Sequence, residues 1–349
     1  MLRAALSFPA LPLLYLQGRR LRAQIPRLRN ARGPSGTIGE ENASSLRITF
    51  VGESSMAGLG AATHKEAFAG SFSQEIASQL TRRVHWQVFA RSGFVTSRIT
   101  RSLIPRIDPQ SDLVVVGTGG NDAFRLRSPR RFRAEIMQLV RTVRDRCGTV
   151  PVFFVRLPPI REFPAFSRLM KRTIGRLGEL LSDELQEVAD SLPDVYFDNR
   201  TGTLEELARE QSLGVNFREL FSDGVHPSRL TYQTWARDSV RWFLQDAQCN
   251  LNADDRHDVQ GRKPADHHLH MGSELRKRLA AEAFSCGHKP ATGRQTKRRA
   301  NNSATVKESA PNPDVQVHQS CTTHTGPRIV GVATRAVEIL QHCMVTVPS

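Results

Sequence analysis

A chain of 349 residues has room for one large domain or two smaller ones. Its hydrophobic share of 39% is below that of an ordinary globular protein, which indicates that part of the chain does not pack. The net charge of +15 is carried largely by the ends: residues 1–33 hold seven arginines and no acid, residues 34–248 have a net charge of +3, and residues 249–349 have +5. Basic ends of this kind are typical of solvated flanks, so we expect no specific nucleic-acid site.

Cysteine use argues against an oxidised, secreted scaffold. Only Cys147 precedes residue 249, and the other four cysteines fall in the last part of the chain. A body with a single thiol forms no internal disulfide, so we expect a cytoplasmic protein.

The N-terminal segment combines an apolar run with positive charge. Residues 5–16 read ALSFPALPLLYL, and Arg19, Arg20 and Arg22 follow. The run is shorter than the roughly 20 residues of a spanning helix, and no Ala-x-Ala cleavage site follows it. Two interpretations stay open: a helix of residues 1–33 that makes peripheral contact with a membrane surface, or an extra helix packed on the domain.

The chain divides into three parts. Residues 1–45 are an apolar and basic leader with a Gly/Ser/Asn linker, and residues 46–248 alternate strand-like and helix-like segments. Residues 249–349 are of low complexity and hold eight of the eleven histidines. We expect this tail to be disordered and to hold no metal, because its His and Cys spacings match no regular zinc module.

The middle part predicts an α/β fold. Five short apolar runs are typical of buried parallel strands: 46–51, 84–90, 113–116, 151–155 and 195–198. Four amphipathic stretches predict helices: 65–80, 131–143, 165–189 and 230–244. Alternation of the two predicts a three-layer α/β/α sandwich around a five-stranded parallel sheet. Ligands of such sheets bind at the carboxyl ends of the strands.

Four polar blocks follow these strands. They are Gly-Glu-Ser-Ser at 52–55, Ala-Arg-Ser-Gly at 90–93, Gly-Gly-Asn-Asp at 119–122 and Asp-Gly-Val-His-Pro at 223–227. All four are expected on one rim of the sheet, where their side chains can act together.

The chemistry available to such a rim is acyl transfer. A serine hydroxyl attacks a carbonyl once an imidazole takes its proton, and a carboxylate holds that imidazole in the required tautomer. Ser54 lies in a strand-to-helix turn, and Asp223 and His226 are three residues apart on one loop. The backbone N–H of Gly93 and the side-chain amide of Asn121 are candidate donors to the oxyanion.

In this order, the four blocks resemble those of the SGNH (GDSL-like) hydrolases. The resemblance implies a flavodoxin-like fold for residues 46–248, Ser54 as nucleophile, and Asp223 and His226 as the rest of the triad. It also implies an oxyanion hole formed by Ser54, Gly93 and Asn121. The first block departs from the Gly-Asp-Ser-Leu pattern because Glu53 stands where the pattern has aspartate; this puts the subfamily in doubt more than the chemistry.

Alternatives exist for individual residues. Ser55 is the adjacent rival for the nucleophile, His64 is the fallback base, and Asp122 is expected to cap the next segment of the chain. The P-loop and dinucleotide patterns do not occur, so we expect no cofactor.

The sequence therefore predicts a serine esterase that forms an acyl-enzyme. The expected substrate is an acetyl or short acyl ester, or a lipid. The alternative is a catalytically inactive membrane- or polyanion-associated binding protein on the same fold.

Overall fold

The computed structural model describes residues 10–200 and 216–258, together with Glu206, Arg209 and Gly214. The predicted tail lies outside the described residues from position 259 onward, as do residues 1–9 of the leader. The division into leader, domain and tail stays a prediction.

The five predicted strands are confirmed, with ends that shift by one or two residues. In chain order the strands are β1 (Ser35–Ile38), β2 (Ser45–Gly52), β3 (Arg83–Ala90), β4 (Leu113–Gly117), β5 (Val152–Phe154) and β6 (Val195–Phe197). They form one sheet in the order β1-β3-β2-β4-β5-β6. Strands β2 to β6 are parallel, so the predicted α/β class is correct.

The number of strands needs a correction, because the sheet has six and not five. Strand β1 lies in the segment assigned to the linker and pairs antiparallel with β3. Its sequence, Ser-Gly-Thr-Ile, is short and contains a glycine, so no apolar run marks it. It forms because the outer edge of β3 offers unpaired backbone N–H and C=O groups, which only the folded sheet provides.

The helices occupy both faces of this sheet. They are α1 (Ala10–Gln24), α2 (Phe68–Leu80), α3 (Thr96–Ser102), α4 (Gly120–Phe124), α5 (Pro129–Cys147), α6 (Arg168–Ser191) and α7 (Arg229–Asp258). The four predicted helices correspond to α2, α5, α6 and α7. Helix α7 continues ten residues past the predicted domain end at 248.

Two apolar cores separate the layers. Successive side chains of a strand point to opposite faces, so Val114 and Val116 of β4 join one core while Leu113 and Val115 join the other. Helices α3, α5 and α6 cover the first core, and α2 and α7 cover the second. This arrangement is the three-layer α/β/α sandwich that the sequence predicts.

Helix α1 packs on the first core. Leu14 is only 4% exposed and belongs to that core, and Leu21 packs against it. Ser167, at the start of α6, donates a hydrogen bond to Gln17 at 2.6 Å. Helix α1 is therefore packed on the domain, as one of the two interpretations of the leader expects, and its exposed side is available for the membrane contact of the other. Among the helices that the structure describes, none is long and apolar enough to span a membrane.

The packing of α1 predicts different effects for its leucines. Leu14→Ala should lower the free energy of unfolding by about 2–4 kcal/mol, because it opens a cavity in the first core. Leu16→Ala should change it by less than about 0.5 kcal/mol, since Leu16 is 54% exposed. Urea unfolding of the full chain measures both. Equal effects of the two substitutions would contradict the packing of α1.

Candidate active site

The ends of three neighbouring strands bring the first three polar blocks together. In the register of the sheet, Gly52 of β2 lies opposite Ala90 of β3 on one side and Gly117 of β4 on the other. The residues that follow these glycine and alanine positions therefore start from the same level of the sheet. We call this edge, at the carboxyl ends of β2, β3 and β4, the carboxyl rim.

Ser54 lies at the carboxyl rim, two residues beyond the end of the central strand β2. Its backbone carbonyl accepts a hydrogen bond from the Leu59 N–H at 3.3 Å, which closes a tight loop of residues 53–60, the Ser54 loop. Ser54 is partly exposed, whereas Ser55 is 8% exposed. Of the two adjacent serines, Ser54 is thus the more accessible to a substrate.

Glu53 ties the Ser54 loop to the third block. Its carboxyl oxygens accept hydrogen bonds from the backbone N–H groups of Gly120 at 2.9 Å and Asn121 at 2.8 Å. Gly120 permits this approach, because a Cβ at that position would lie 2.8 Å from Glu53 Oε1. The pKa of Glu53 is raised to about 8, because burial and the neighbouring Asp122 raise it by more than the two N–H groups lower it.

Gly93 and Asn121, two of the three predicted oxyanion donors, are joined through the backbone of Phe94. The Asn121 side-chain amide donates to the Phe94 carbonyl at 3.0 Å. Gly93 is partly exposed and has a φ of +79°, in the left-handed region that favours glycine. Its carbonyl accepts a hydrogen bond from Arg125 at 3.4 Å, so a second side chain holds the turn.

Asp223 and His226 form a direct pair. His226 Nδ1 lies 2.7 Å from Asp223 Oδ2, and the other carboxyl oxygen accepts the backbone N–H groups of His226 at 2.7 Å and Val225 at 3.0 Å. Burial by itself raises the pKa of Asp223, but the hydrogen bonds and charge of His226 and the Val225 N–H outweigh it, so the pKa lies below its ordinary value. An ionised Asp223 orients the imidazole through Nδ1, and Nε2 is the ring nitrogen that this carboxylate does not contact.

Two side-chain contacts are made to the Ser54 loop, one from residues 222–228, which we call the His226 loop, and one from Tyr232 in the helix that follows. Ser222 Oγ lies 3.3 Å from the Gly60 carbonyl and 3.1 Å from that of Pro227. The fully buried Tyr232 donates to the Leu59 carbonyl at 2.8 Å. Among the described residues no hydrogen bond joins Ser54 to His226, and such contacts are often long before substrate binds.

Two of the alternative candidates, Asp122 and His64, are buried. Asp122 is fully buried and accepts hydrogen bonds from the Thr96 N–H at 3.0 Å and hydroxyl at 2.9 Å. It therefore caps the start of α3, which precedes it in the chain, and not the next segment that the sequence predicts it to cap. His64 is 4% exposed, and its Nδ1 has no hydrogen-bond partner among the described residues. Within the same part of the chain, metal-binding side chains do not cluster in groups of three or more.

Two contacts at the site are not predicted by the sequence analysis. The contact of Glu53 with the third block was not foreseen; its signal is the carboxylate directly before the candidate nucleophile. The tether from Tyr232 to the Ser54 loop has no signal, because Tyr232 occupies an ordinary apolar position of a helix and its partner is a backbone carbonyl.

Comparison with known proteins gives the family. Residues 50–234, more than half of the chain, match the model of the GDSL-like lipase/acylhydrolase family, and the chain belongs to this family. Membership makes it a hydrolase of the ester-cleaving kind at the level of the family.

Several solved structures are similar to the chain. A lipase from a goat rumen metagenome is 21% identical over 56% of this chain and 96% of that one, with a TM-score of 0.43. A lipase/acylhydrolase from Enterococcus faecalis is 18% identical over 56% and 94%, with a TM-score of 0.39. Phospholipase A1 from Streptomyces albidoflavus NA297 is 16% identical over 57% and 98%, with a TM-score of 0.40. A comparison with curated proteins gives no match.

The buried His64 predicts a loss of stability in acid. Burial lowers its pKa from 6.5 to about 4, so the unfolded chain takes up a proton there before the folded chain does. Stability is lost as the pH falls from 6.5 to 4, by up to about 3 kcal/mol from this residue. His64→Phe should flatten that part of the pH profile in urea unfolding. If the free energy of unfolding depends on pH in the same way in His64→Phe and in wild type, His64 does not cause the loss of stability in acid.

Proposed function

We propose that this chain is a serine esterase in which Ser54 is the nucleophile, His226 the general base and Asp223 the residue that orients His226. The observation that carries the proposal is the 2.7 Å contact between His226 and a buried carboxylate, on a loop packed against the Ser54 loop. An isolated surface histidine does not have such a partner. Family membership supports the same chemistry.

In the first step, Ser54 Oγ attacks the ester carbonyl while His226 Nε2 takes its proton. Asp223 stabilises the resulting imidazolium through Nδ1 and keeps its own charge, as its lowered pKa favours. His226 then gives the proton to the leaving alcohol. The products of this step are the free alcohol and an acyl-enzyme on Ser54.

The tetrahedral intermediate needs donors for its oxyanion. The backbone N–H groups of Ser54 and Gly93 and the side-chain amide of Asn121 fill this role. One N–H of that amide donates to the Phe94 carbonyl, and the other is directed to the oxyanion. Each donor of this kind contributes about 3 kcal/mol to the transition state.

In the second step, water replaces the alcohol. His226 takes a proton from the water, which attacks the acyl-enzyme and releases the acid, and Ser54 regains its hydroxyl. The chemistry requires no metal or organic cofactor. The proposed substrates are acetyl or short acyl esters and lipid esters, since the Ser54 and His226 loops both lie at the open carboxyl rim.

The nucleophile is tested by a pair of adjacent substitutions. Ser54→Ala should lower kcat on p-nitrophenyl acetate, butyrate or octanoate by about a thousandfold or more, because the attacking oxygen is removed. Ser55→Ala, the matched control, should stay within about threefold of wild type, since it leaves that oxygen in place. Hydrolysis is followed by release of p-nitrophenol from the full chain.

Two results would contradict the proposal. The first is a Ser54→Ala variant as active as wild type, and the second is a folded wild type that cleaves none of the three esters. The second result would favour the inactive binding protein on the same fold.

We also propose that α1 makes peripheral contact with an anionic membrane. Leu13 and Leu16 are 49% and 54% exposed, and among the described residues they are the exposed large hydrophobic side chains. Arg19 and Arg20, both exposed, follow on the next turn. Apolar side chains beside arginines match the interface of an anionic bilayer. The Gln17–Ser167 hydrogen bond places α1 beside the segment whose Ala165 N–H bonds the Gly224 carbonyl of the His226 loop.

Vesicle sedimentation tests this contact. Wild type should sediment with phosphatidylserine vesicles more than with phosphatidylcholine vesicles, and high salt should reduce the difference. Leu13→Asn combined with Leu16→Asn should reduce binding by about tenfold, because two apolar side chains are lost from the interface. Hydrolysis of a soluble ester should stay unchanged. Binding that is equal in wild type and the double variant would overturn the role of α1.

A further inference from the structure

Two guanidinium groups lie on one aromatic ring at the carboxyl rim. The Cζ atoms of Arg91 and Arg98 lie 5.5 Å and 5.0 Å from the centre of the Phe94 ring. Phe94 is 8% exposed, so its ring is a fixed platform. Its carbonyl accepts the Asn121 amide, and Gly93 directly precedes it. The two cations are thus anchored to the turn that contains Gly93 and accepts the Asn121 amide, two of the candidate oxyanion donors.

The charges of these two arginines are not neutralised within the described part of the chain. Both side chains are exposed, and neither takes part in the ion pairs found among the described residues. Arg127, by contrast, pairs with Asp122 and Glu135 at 3.5 and 3.4 Å. An aromatic face orients a guanidinium but leaves its charge and its N–H donors available to an anion.

The stretch of sequence that contains Arg91 and Arg98 is rich in positive charge. Residues 91–148 hold twelve arginines and five acidic residues, whereas the net charge of the whole stretch 34–248 is only +3. The rest of that stretch is therefore net acidic. A cleft bordered by one sign of charge raises the local concentration of ligands with the opposite sign.

We propose that Arg91 and Arg98 bind an oxyanion carried by the substrate, a carboxylate or a phosphate, so that the preferred substrates are anionic esters. The inference rests on the proposed function, because the anion is placed relative to an acyl group at Ser54. Each guanidinium offers paired N–H donors that match the two oxygens of such a group. A carboxylate would lie on the acyl side of the ester, and a phosphate would belong to a lipid-type alcohol.

Matched substrates test the preference. One pair is p-nitrophenyl butyrate and mono-p-nitrophenyl glutarate, which differ by a carboxylate at the end of the acyl chain. The other pair is lauroyl glycerol and lauroyl glycerol phosphate, which differ by a phosphate on the alcohol. We expect kcat/KM of wild type to be higher for the anionic member of at least one pair, and the pair that shows the preference identifies the source of the anion.

Variants assign the preference to these arginines. Arg91→Ala combined with Arg98→Ala should lower kcat/KM for the anionic ester about ten- to a hundredfold, mainly through KM, and leave the neutral ester within about threefold. Arg101→Ala is the control, because Arg101 is exposed on the same helix and its guanidinium bonds the Ser97 carbonyl instead of the Phe94 ring. It should leave both esters unchanged.

Direct binding separates this inference from the proposed function. Calorimetric titration of Ser54→Ala with octyl phosphate and with octanoate should show binding of at least one of the two anions. Adding both Arg91→Ala and Arg98→Ala to this variant should weaken that binding about tenfold. Wild type that cleaves no ester would overturn the proposed function, while this titration would still decide the anion site. The inference would be overturned if wild type had the same kcat/KM for the neutral and the anionic ester of both pairs. It would also be overturned if the two substitutions left anion binding unchanged.

Discussion

The site depends on one buried carboxyl group. Glu53 follows β2, and its two oxygens hold the N–H groups of Gly120 and Asn121 beyond the neighbouring strand β4. The folded chain buries this acid almost completely, which disfavours its charge, and the two backbone donors offset part of that cost. The result fixes the distance between the turn of Ser54 and the turn of Asn121. Glu53, which stands where the usual block has aspartate, therefore has a structural role here.

The second constraint acts between the first and last blocks, which are more than 160 residues apart in sequence. Ser222 contacts the Gly60 carbonyl, and Tyr232 holds the Leu59 carbonyl from the first turn of α7. Both contacts are made to backbone atoms, so they position the loops without engaging the side chains of Ser54 or His226.

The rim also shows how one turn can serve two purposes. Gly93 in this turn is a candidate oxyanion donor, and the carbonyl of Phe94 accepts the Asn121 amide. The ring of Phe94 contacts the guanidinium groups of Arg91 and Arg98. The ring restricts the orientation of the two guanidinium groups without neutralising their charge, because stacking uses the flat face of a guanidinium and leaves its N–H donors available. Substrate charge and acyl chemistry would thus be recognised by neighbouring parts of one turn.

The sequence by itself determined the layers of the fold and brought the candidate site residues to one rim of the sheet. Short, continuous apolar runs predicted five of the six strands, and the order of the polar blocks predicted which loops meet. Local pattern was enough because a buried parallel strand must be apolar throughout, and because parallel strands bring their carboxyl ends to one edge. The direct pairing of Asp223 with His226 was likewise accessible, since three residues on one loop span a single turn.

Only the tertiary structure decided the remaining features. Strand β1 exists because β3 has a free edge, and α1 packs on the domain because Leu14 meets a core made by distant residues. The reach of Glu53 to Gly120 and the tether from Tyr232 to Leu59 join a side chain to a backbone group far away in sequence. Such partners leave no mark in the sequence, because every residue carries the same N–H and C=O groups and only the fold selects which of them is near.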